Sequence, residues 1–246
     1  MNARVLTLDI ETSPIEAHVW GLWQQNVAIN QIMRPTAVIA VGSKWHHEKT
    51  VQFESVYHHG HEEMVKATHQ RLDEADVVVH FNGKSFDIPH LNREFAQLGL
   101  TPPSPYRQVD LKTVVARQFR FPSNKLAYVT KALGLSGKLS HTGHEMWVKC
   151  LAGDDKAWNL MRRYCRQDVR TTEELFDRVR PWIPTLNLGV FSEDERPLCP
   201  NCESPNIQRR GSYATTAGRY PRFHCQACGK WSHERKSEAL VEMRPA

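Results

Sequence analysis

Asp9 and Glu11 stand two apart at the end of an apolar run, residues 4–10 (RVLTLDI). Positions i and i+2 of a strand point to the same face, so both carboxylates project together while Ile10 points into the opposite layer. Carboxylates side by side repel unless a cation sits between them. Hard divalent ions such as Mg²⁺ accept this ligation, with waters and substrate phosphates filling the remaining positions. Alone, such a pair reads as a solvated strand end. Asp87 follows an apolar strand and a glycine-containing turn (residues 80–91, HFNGKSFDIPHL), a place where loops carry function. Pro89 suits the first turn of a helix, so Asp87 can equally cap the helix that follows. Tyr164 and Asp168 are four apart in a long helical stretch and share a face. In isolation they read as a half-buried tyrosine beside a surface aspartate.

A second set of residues points to a different metal. Cys199 and Cys202 form one C-x-x-C pair, and Cys225 and Cys228 another, 22 residues further on. Four thiolates at this spacing match a closed tetrahedral Zn²⁺ site. Gly229 gives the knuckle its tight turn. The stretch resembles a zinc ribbon over roughly residues 197–233, with metal binding on the order of 10 kcal/mol supplying much of its folding energy. Arg209, Arg210, Arg219, Arg222 and Lys230 alternate with Tyr213, Tyr220, Phe223 and Trp231. Charges that track phosphates and rings that stack on bases suit a single strand of nucleic acid; the rings could equally fill the ribbon's small core, and the ribbon could dock a replication or repair protein.

The elements that must position these groups can be read from pattern. Strands are expected at 4–10, 17–23, 37–45, 50–56 and 76–80, with a short one at 109–111. Helices are expected at 61–75, where Met64, Val65, Thr68 and Leu72 fall on one face, then at 85–98, from 111 to about 119, and at 124–133, 144–151 and 154–179. Gly99 and Gly134 stop two of them, and Asp154 is placed to cap the longest. Residues 136–144 read as a polar loop. Strands mixed with helices imply an α/β sheet covered by helices. The expected domains are residues 1–182, a linker at 183–196, and a zinc ribbon with tail at 197–246.

Composition sets the class. The chain has 246 residues, 40% hydrophobic and 24% charged, with a net charge of +5. Residues 197–246 carry eight Lys and Arg against four Asp and Glu, and the first 196 carry 24 against 23. The basic bias therefore lies in the tail, compatible with a phosphate-bearing partner. No apolar run approaches the roughly 18 residues of a membrane span. Arg4 and Asp9 within the first apolar stretch argue against a signal peptide. A cytoplasmic protein with no membrane partner is expected.

Taken together, the acidic motifs resemble the DEDD superfamily of 3′–5′ exonucleases, the DnaQ-like or ribonuclease-H-like group. D-x-E is matched by Asp9 and Glu11, N-x-x-x-F-D by Asn82, Phe86 and Asp87, and Y-x-x-x-D by Tyr164 and Asp168. Arg163 stands where the histidine subclass carries His, which indicates the tyrosine subclass, DEDDy. The motif text is similar to the proofreading domain of family B DNA polymerases, except that His90 replaces the usual Tyr. With no room for a polymerase domain, the layout resembles free-standing, phage-encoded exonucleases, which would act in a host cytoplasm in DNA replication or repair.

The resemblance implies a ribonuclease-H-like mixed sheet flanked by helices. It also implies two Mg²⁺ or Mn²⁺ ions, one structural Zn²⁺, and release of nucleoside 5′-monophosphates from single-stranded DNA. Asp9 would bridge both catalytic metals, Glu11 and Asp168 would complete the first, Asp87 would hold the second largely through water, and Tyr164 would orient the attacking water. Thr12, Asn82 and Phe86 are the expected substrate contacts, with Phe86 either stacking on a base or packing in the core. Exoribonuclease or structure-specific endonuclease action at the same site, or a non-catalytic nucleic-acid or replisome adaptor acting through the ribbon, are the alternatives. His46, His47, His58, His59 and His61 have no fixed ligand spacing and read as loop histidines, as do His141 and His144. Asp110 reads as structural. Cys150 and Cys165 read as partly buried free thiols.

Overall fold

The structure, a computed structural model, describes residues 3–46, 48–137, 143–194 and 196–243. His47 and His141 lie outside the described residues. The chain divides into two compact units, residues 4–175 and residues 176–246, the latter taking in Ala3.

The first unit is built on β1 (Val5–Thr12), whose first four residues are all buried, as expected for a strand covered on both faces. Four further strands follow: β2 (Val38–Trp45), β3 (Gln52–Ser55), β4 (Val77–His80) and β5 (Arg107–Asp110). The sheet order is β3-β2-β1-β4-β5. The β1–β2 and β2–β3 pairs are antiparallel, and the β1–β4 and β4–β5 pairs parallel. β1 is thus the central strand, where antiparallel and parallel halves meet.

Helices cover both faces. One layer holds α2 (His61–Asp73) and α3 (Asp87–Gln97), which bury Met64, Val65, Leu72, Ile88, Leu91 and Phe95 against Leu6, Leu8 and Ile10 of β1. The expected apolar face of 61–75 is the buried one. A one-turn helix, α1 (Val56–His59), precedes α2 and is capped by Ser55, whose Oγ accepts from His58 N at 3.2 Å. Next come α4 (Leu111–Gln118), α5 (Leu126–Ala132) and α6 (His144–Leu151). The long α7 (Asp155–Val179) is capped as expected: Asp154 Oδ1 accepts from Ala157 N at 2.7 Å. Met146 and Cys150 of α6 and Trp158, Met161, Tyr164 and Cys165 of α7 pack with Ile39 and Ala40 of β2 in the second core layer.

One expected strand is absent. Residues 17–23 contribute only the end of a two-residue ladder, 16–17 paired with 32–34. Trp20, Leu22 and Trp23 are 99%, 90% and 84% exposed. Their composition favours a strand, but no neighbouring strand meets them, and β-propensity depends on such partners.

In the second unit, residues 183–196 are partly built into the structure: Ile183, Leu186 and Leu188 are buried. A small antiparallel sheet follows, with β6 (Ile207–Ala214) along one edge of β7 (Gly218–Cys225), and β8 (Trp231–His233) and β9 (Ala239–Leu240) along the other. Among the described residues no helix is long and apolar enough to cross a membrane.

Gly42 of β2 marks the tightest layer contact. A Cβ there would lie 2.9 Å from Val169 Cγ2 and 3.3 Å from the Cys165 carbonyl oxygen of α7. Gly42→Ala is therefore expected to overpack this contact and cost about 1–3 kcal/mol, read as a lowered urea midpoint. An unchanged midpoint would show that α7 can move away freely.

Candidate active site and zinc centre

Asp9 and Glu11 lie where β1 leaves the core, and their register partners on β2 are Gly42 and Ala40. Both partners are small, so α7 approaches the sheet beside the two acids. Its Tyr164 and Asp168, one turn apart, are 8% and 2% exposed. Burial pushes the Tyr164 hydroxyl far above its ordinary pKa, and the charges of Asp168, Glu11 and Asp9 add to it. The neighbouring Cys165 thiol is raised by burial and then by Glu11, Asp9 and Asp168. Two acids of β1 and one of α7 thus act together on one turn of α7.

Asp87 opens α3 and is 4% exposed. Its Oδ1 accepts from the Ile10 N–H at 3.1 Å. The carboxylate that could have capped its own helix instead ties α3 to β1, between Asp9 and Glu11. Burial lifts Asp87 from the ordinary 3.8 to about 7, against the pull of the Ile10 and Asp87 backbone N–H groups and with added repulsion from Asp110.

The turn leading to Asp87 is held from β5. Asp110 Oδ1 accepts from Asn82 N at 3.0 Å and its Oδ2 from Lys84 N at 3.3 Å, while the same side chain caps α4. Asp110 is the structural residue its sequence context indicated. Asn82 has a positive φ of 71°, and its Oδ1 accepts from Lys112 Nζ at 3.0 Å and Ser85 Oγ at 3.1 Å. Gly83 donates to Nδ1 of the buried His80 at 3.1 Å, so close that a Cβ would lie 2.5 Å from the His80 ring.

Two clefts open beside these acids. One, of about 390 Å³, is lined by Glu11, Thr12, Phe86, His144 and Trp147 among others. Phe86 is 39% exposed and packs on His90, 4.5 Å between ring centres, so it is a surface ring and not a core one. The other, of about 630 Å³, reaches from Asp9 to Asn82, Lys112 and Lys125. Lys112, Lys125 and Trp147 were not singled out by sequence reasoning. The signal for Lys112 was its place two residues after Asp110, in the first turn of a capped helix.

A family model of the RNase_H superfamily, RNase_H_2, matches residues 29–180. This chain belongs to the RNase H superfamily. Among solved structures it is similar to the family B DNA polymerase of the hyperthermophilic archaeon Pyrobaculum calidifontis, with a TM-score of 0.56 and 20% identity. The match covers 73% of this chain and 25% of the polymerase, so the chain spans about a quarter of that protein's length. At that identity the likeness shows the fold. A search of curated proteins finds no match. The RNase H fold accounts for the mixed sheet with its acids on the central strand.

The histidines without ligand spacing form no metal cluster among the described residues. Several are not in loops, however: His58 and His59 lie on α1, His61 opens α2 and His144 opens α6, because capping and helix propensity act on them locally. His58 pairs with Ser55 Oγ at 2.7 Å, His61 with Glu94 at 2.9 Å and His46 with Glu173 at 3.4 Å. Cys150 and Cys165 are buried free thiols. Among the described residues, one group of three or more potential ligands gathers tightly: Cys199, Cys202, Cys225 and Cys228, all ligand atoms within 4.8 Å of one another. The acids of the RNase H domain, which repel one another, converge less closely.

The thiols suit zinc. Cys199 and Cys228 sulfurs are 3.6 Å apart, and those of Cys202 and Cys225 3.7 Å. A tetrahedron of Zn–S bonds near 2.3 Å has edges of about 3.8 Å. Cys228 is held down to about 7: burial would raise it, but the Asn201 amide, 3.3 Å from its Sγ, and the Lys230 backbone N–H outweigh burial. Gly229 takes a φ of 74°, as the knuckle requires.

The basic residues around the thiols differ in freedom. Lys230 Nζ donates to the Ile183 carbonyl at 2.8 Å. Arg209 pairs with Glu238, Arg210 bonds Gln208 at 2.8 Å, and Arg222 lies over the Trp231 ring at 4.8 Å.

Two predictions follow from the two metal chemistries. Because Asp87 is raised by burial, the folded chain binds more protons than the unfolded one between its unfolded and folded values, and stability falls as pH rises through about 7. Asp87→Asn keeps an acceptor for Ile10 without the charge. With divalent ions withheld, its Tm should exceed wild type at pH 8, and the gap should narrow with falling pH and close below about 4; a lower Tm at pH 8 would contradict the burial account. For the thiols, elemental analysis should find one zinc per chain. Cys225→Ser should lose it and open the 197–243 segment to protease, whereas Asp9→Ala should keep both zinc and protection.

Proposed function

We propose that the chain is a metal-dependent 3′–5′ exonuclease of the tyrosine subclass that removes nucleoside 5′-monophosphates from single-stranded DNA. The observation that carries the reading is the convergence of Asp9, Glu11 and Asp168 on Tyr164, with Asp87 tied to the strand between the first two. Membership of the RNase H superfamily supports nuclease chemistry. The direction of attack, the DNA substrate and the assignment to a phage-type enzyme rest on the motif resemblance.

The donor set fits hard divalent cations. All four acids offer oxygen, and burial without compensation raises Asp87, a penalty that a bound cation removes. Asp9, Glu11 and Asp168 would hold one Mg²⁺ or Mn²⁺, and Asp9 with Asp87 a second. Bound there, such ions supply an activated water and neutralise charge on the departing oxygen.

The protein's own groups set the rest. Tyr164 keeps its proton at neutral pH, because burial and three carboxylates oppose its ionisation. It therefore serves as a hydrogen-bonding group that orients the attacking water, not as the base that deprotonates it. Thr12 and Phe86 share the cleft at Glu11, where Phe86 can stack on the terminal base. The ribbon, with Arg222 over Trp231 and Tyr213 stacked on His233, offers a second nucleic-acid contact.

The test is degradation of 5′-labelled single-stranded DNA and RNA of one sequence, with Mg²⁺ or Mn²⁺, beside Asp9→Ala. A ladder shortening from the 3′ end, at least about 10²-fold slower in the variant, supports the reading, and the faster strand names the sugar. Cleavage only within the strand, or faster loss of RNA, would favour the endonuclease or exoribonuclease alternatives. Intact strands under every condition, from folded and zinc-loaded protein, would favour a binding adaptor.

A further inference from the structure

The cleft that takes in Asp9 is lined by charges of both signs. Its volume of about 630 Å³ lies within the roughly 300–1,000 Å³ typical of ligand-binding pockets. Asp9 supplies a carboxylate, and Lys112 and Lys125, both exposed, supply ammonium groups. Among the described residues neither lysine pairs with a carboxylate, whereas Lys44, Lys66 and Lys149 each do.

Both lysines stand on fixed backbone. Lys112 lies in the first turn of α4, where Asp110 accepts from its N–H at 3.0 Å, and its ammonium reaches Asn82 Oδ1. The Lys125 N–H donates to Ser123 Oγ at 3.3 Å, and its carbonyl accepts from Tyr128 N and Val129 N, each at 3.0 Å. Their backbones therefore need no reordering when a ligand arrives, and the ordering cost is confined to the two side chains. Ammonium groups favour an anion, and a carboxylate favours cations. A polyanion that meets cations at one point and ammonium groups further along satisfies both.

We propose that this cleft is a subsite for the phosphodiester backbone of a single nucleic-acid strand, in which Lys112 and Lys125 contact phosphates beyond the one at Asp9. The subsite deepens the exonuclease reading and rests on it for the identity of the ligand. Its binding can nevertheless be measured without cleavage.

The experiment uses the full chain carrying Asp9→Ala and a fluorescent oligo(dT) probe, titrated at several salt concentrations. Adding Lys112→Gln and Lys125→Gln should weaken binding about tenfold and flatten the log–log salt dependence by about 1.4, near 0.7 per lost phosphate contact. Lys125→Gln alone should weaken it about threefold; unlike Lys112, Lys125 makes no hydrogen bond to Asn82, so that loss separates a phosphate contact from a disturbance of the turn before Asp87. Arginine at both positions should restore binding, and Lys66→Gln, on α2, should change nothing. Probe binding that both glutamine variants leave intact, with the same salt slope, would overturn the subsite, as would glutamine losses that arginine does not rescue. Failure of the exonuclease reading would show separately, as a wild-type protein that binds the probe through these lysines yet never shortens it.

Discussion

The contact between α7 and the sheet sets the geometry of everything near Asp9. Helix and strand ordinarily keep a side chain's width between their backbones. At Gly42 that width vanishes, and the Cys165 carbonyl sits where a Cβ would press. Since Gly42 is the register partner of Asp9, and Ala40 of Glu11, the missing bulk lies beside the acids. Tyr164 and Asp168 reach the end of β1 because the helix lies this close. The cost is a local loss of apolar packing, which Trp158, Met161 and Cys165 offset further along the same helix.

A second constraint is electrostatic. A core normally excludes charge, yet Asp87 and Asp168 are nearly fully buried. Asp87 meets this conflict by holding its proton to about neutral pH, and Tyr164 by never losing its own near neutrality. Such local violations of good folding rules tend to occur where function resides. The surrounding framework bears the cost: Asp110 fixes the turn before Asp87 through backbone N–H groups, and a backbone N–H of β1 fixes the carboxylate itself. These bonds leave little freedom in the acid's position whether or not a cation is bound.

Much of this was legible in the sequence, and the reasons differ by residue. The face of α2, the cap at Asp154 and the strand carrying Asp9 follow from periodicity and capping, which are local. The α/β sheet covered by helices follows from the order of elements, whereas its mixed pairing followed only from the motif resemblance. Residues 17–23 misled because aromatic and β-branched composition cannot reveal whether a neighbouring strand exists. The exposure of Phe86 depends on what α6 brings near it, and the clustering of Lys112 with Lys125 depends on how α4 and α5 meet the 82–84 turn. Asp87 was ambiguous for a related reason: capping is a local bond, whereas its actual partner, Ile10, is 77 positions away.

The two metal chemistries were separable from residue types alone, and their geometries explain why they differ in tightness. Sulfur ligands can approach one another closely, so Cys199, Cys202, Cys225 and Cys228 already stand near tetrahedral spacing, and a zinc ion would need little movement of atoms to enter. Carboxylates are charged over most of the accessible pH range and cannot crowd together without a counter-charge. A site built from them stays looser until cations arrive, and its backbone anchors must supply the order that close packing supplies among the thiols. Asp87 meets that requirement with its bond to Ile10, and Asp9 and Glu11 by lying on the central strand of the sheet, paired on both sides. An acid site anchored in this way would take up and release cations without rearranging the fold, whereas a thiol cluster with little core around it would draw much of its folding energy from a bound ion.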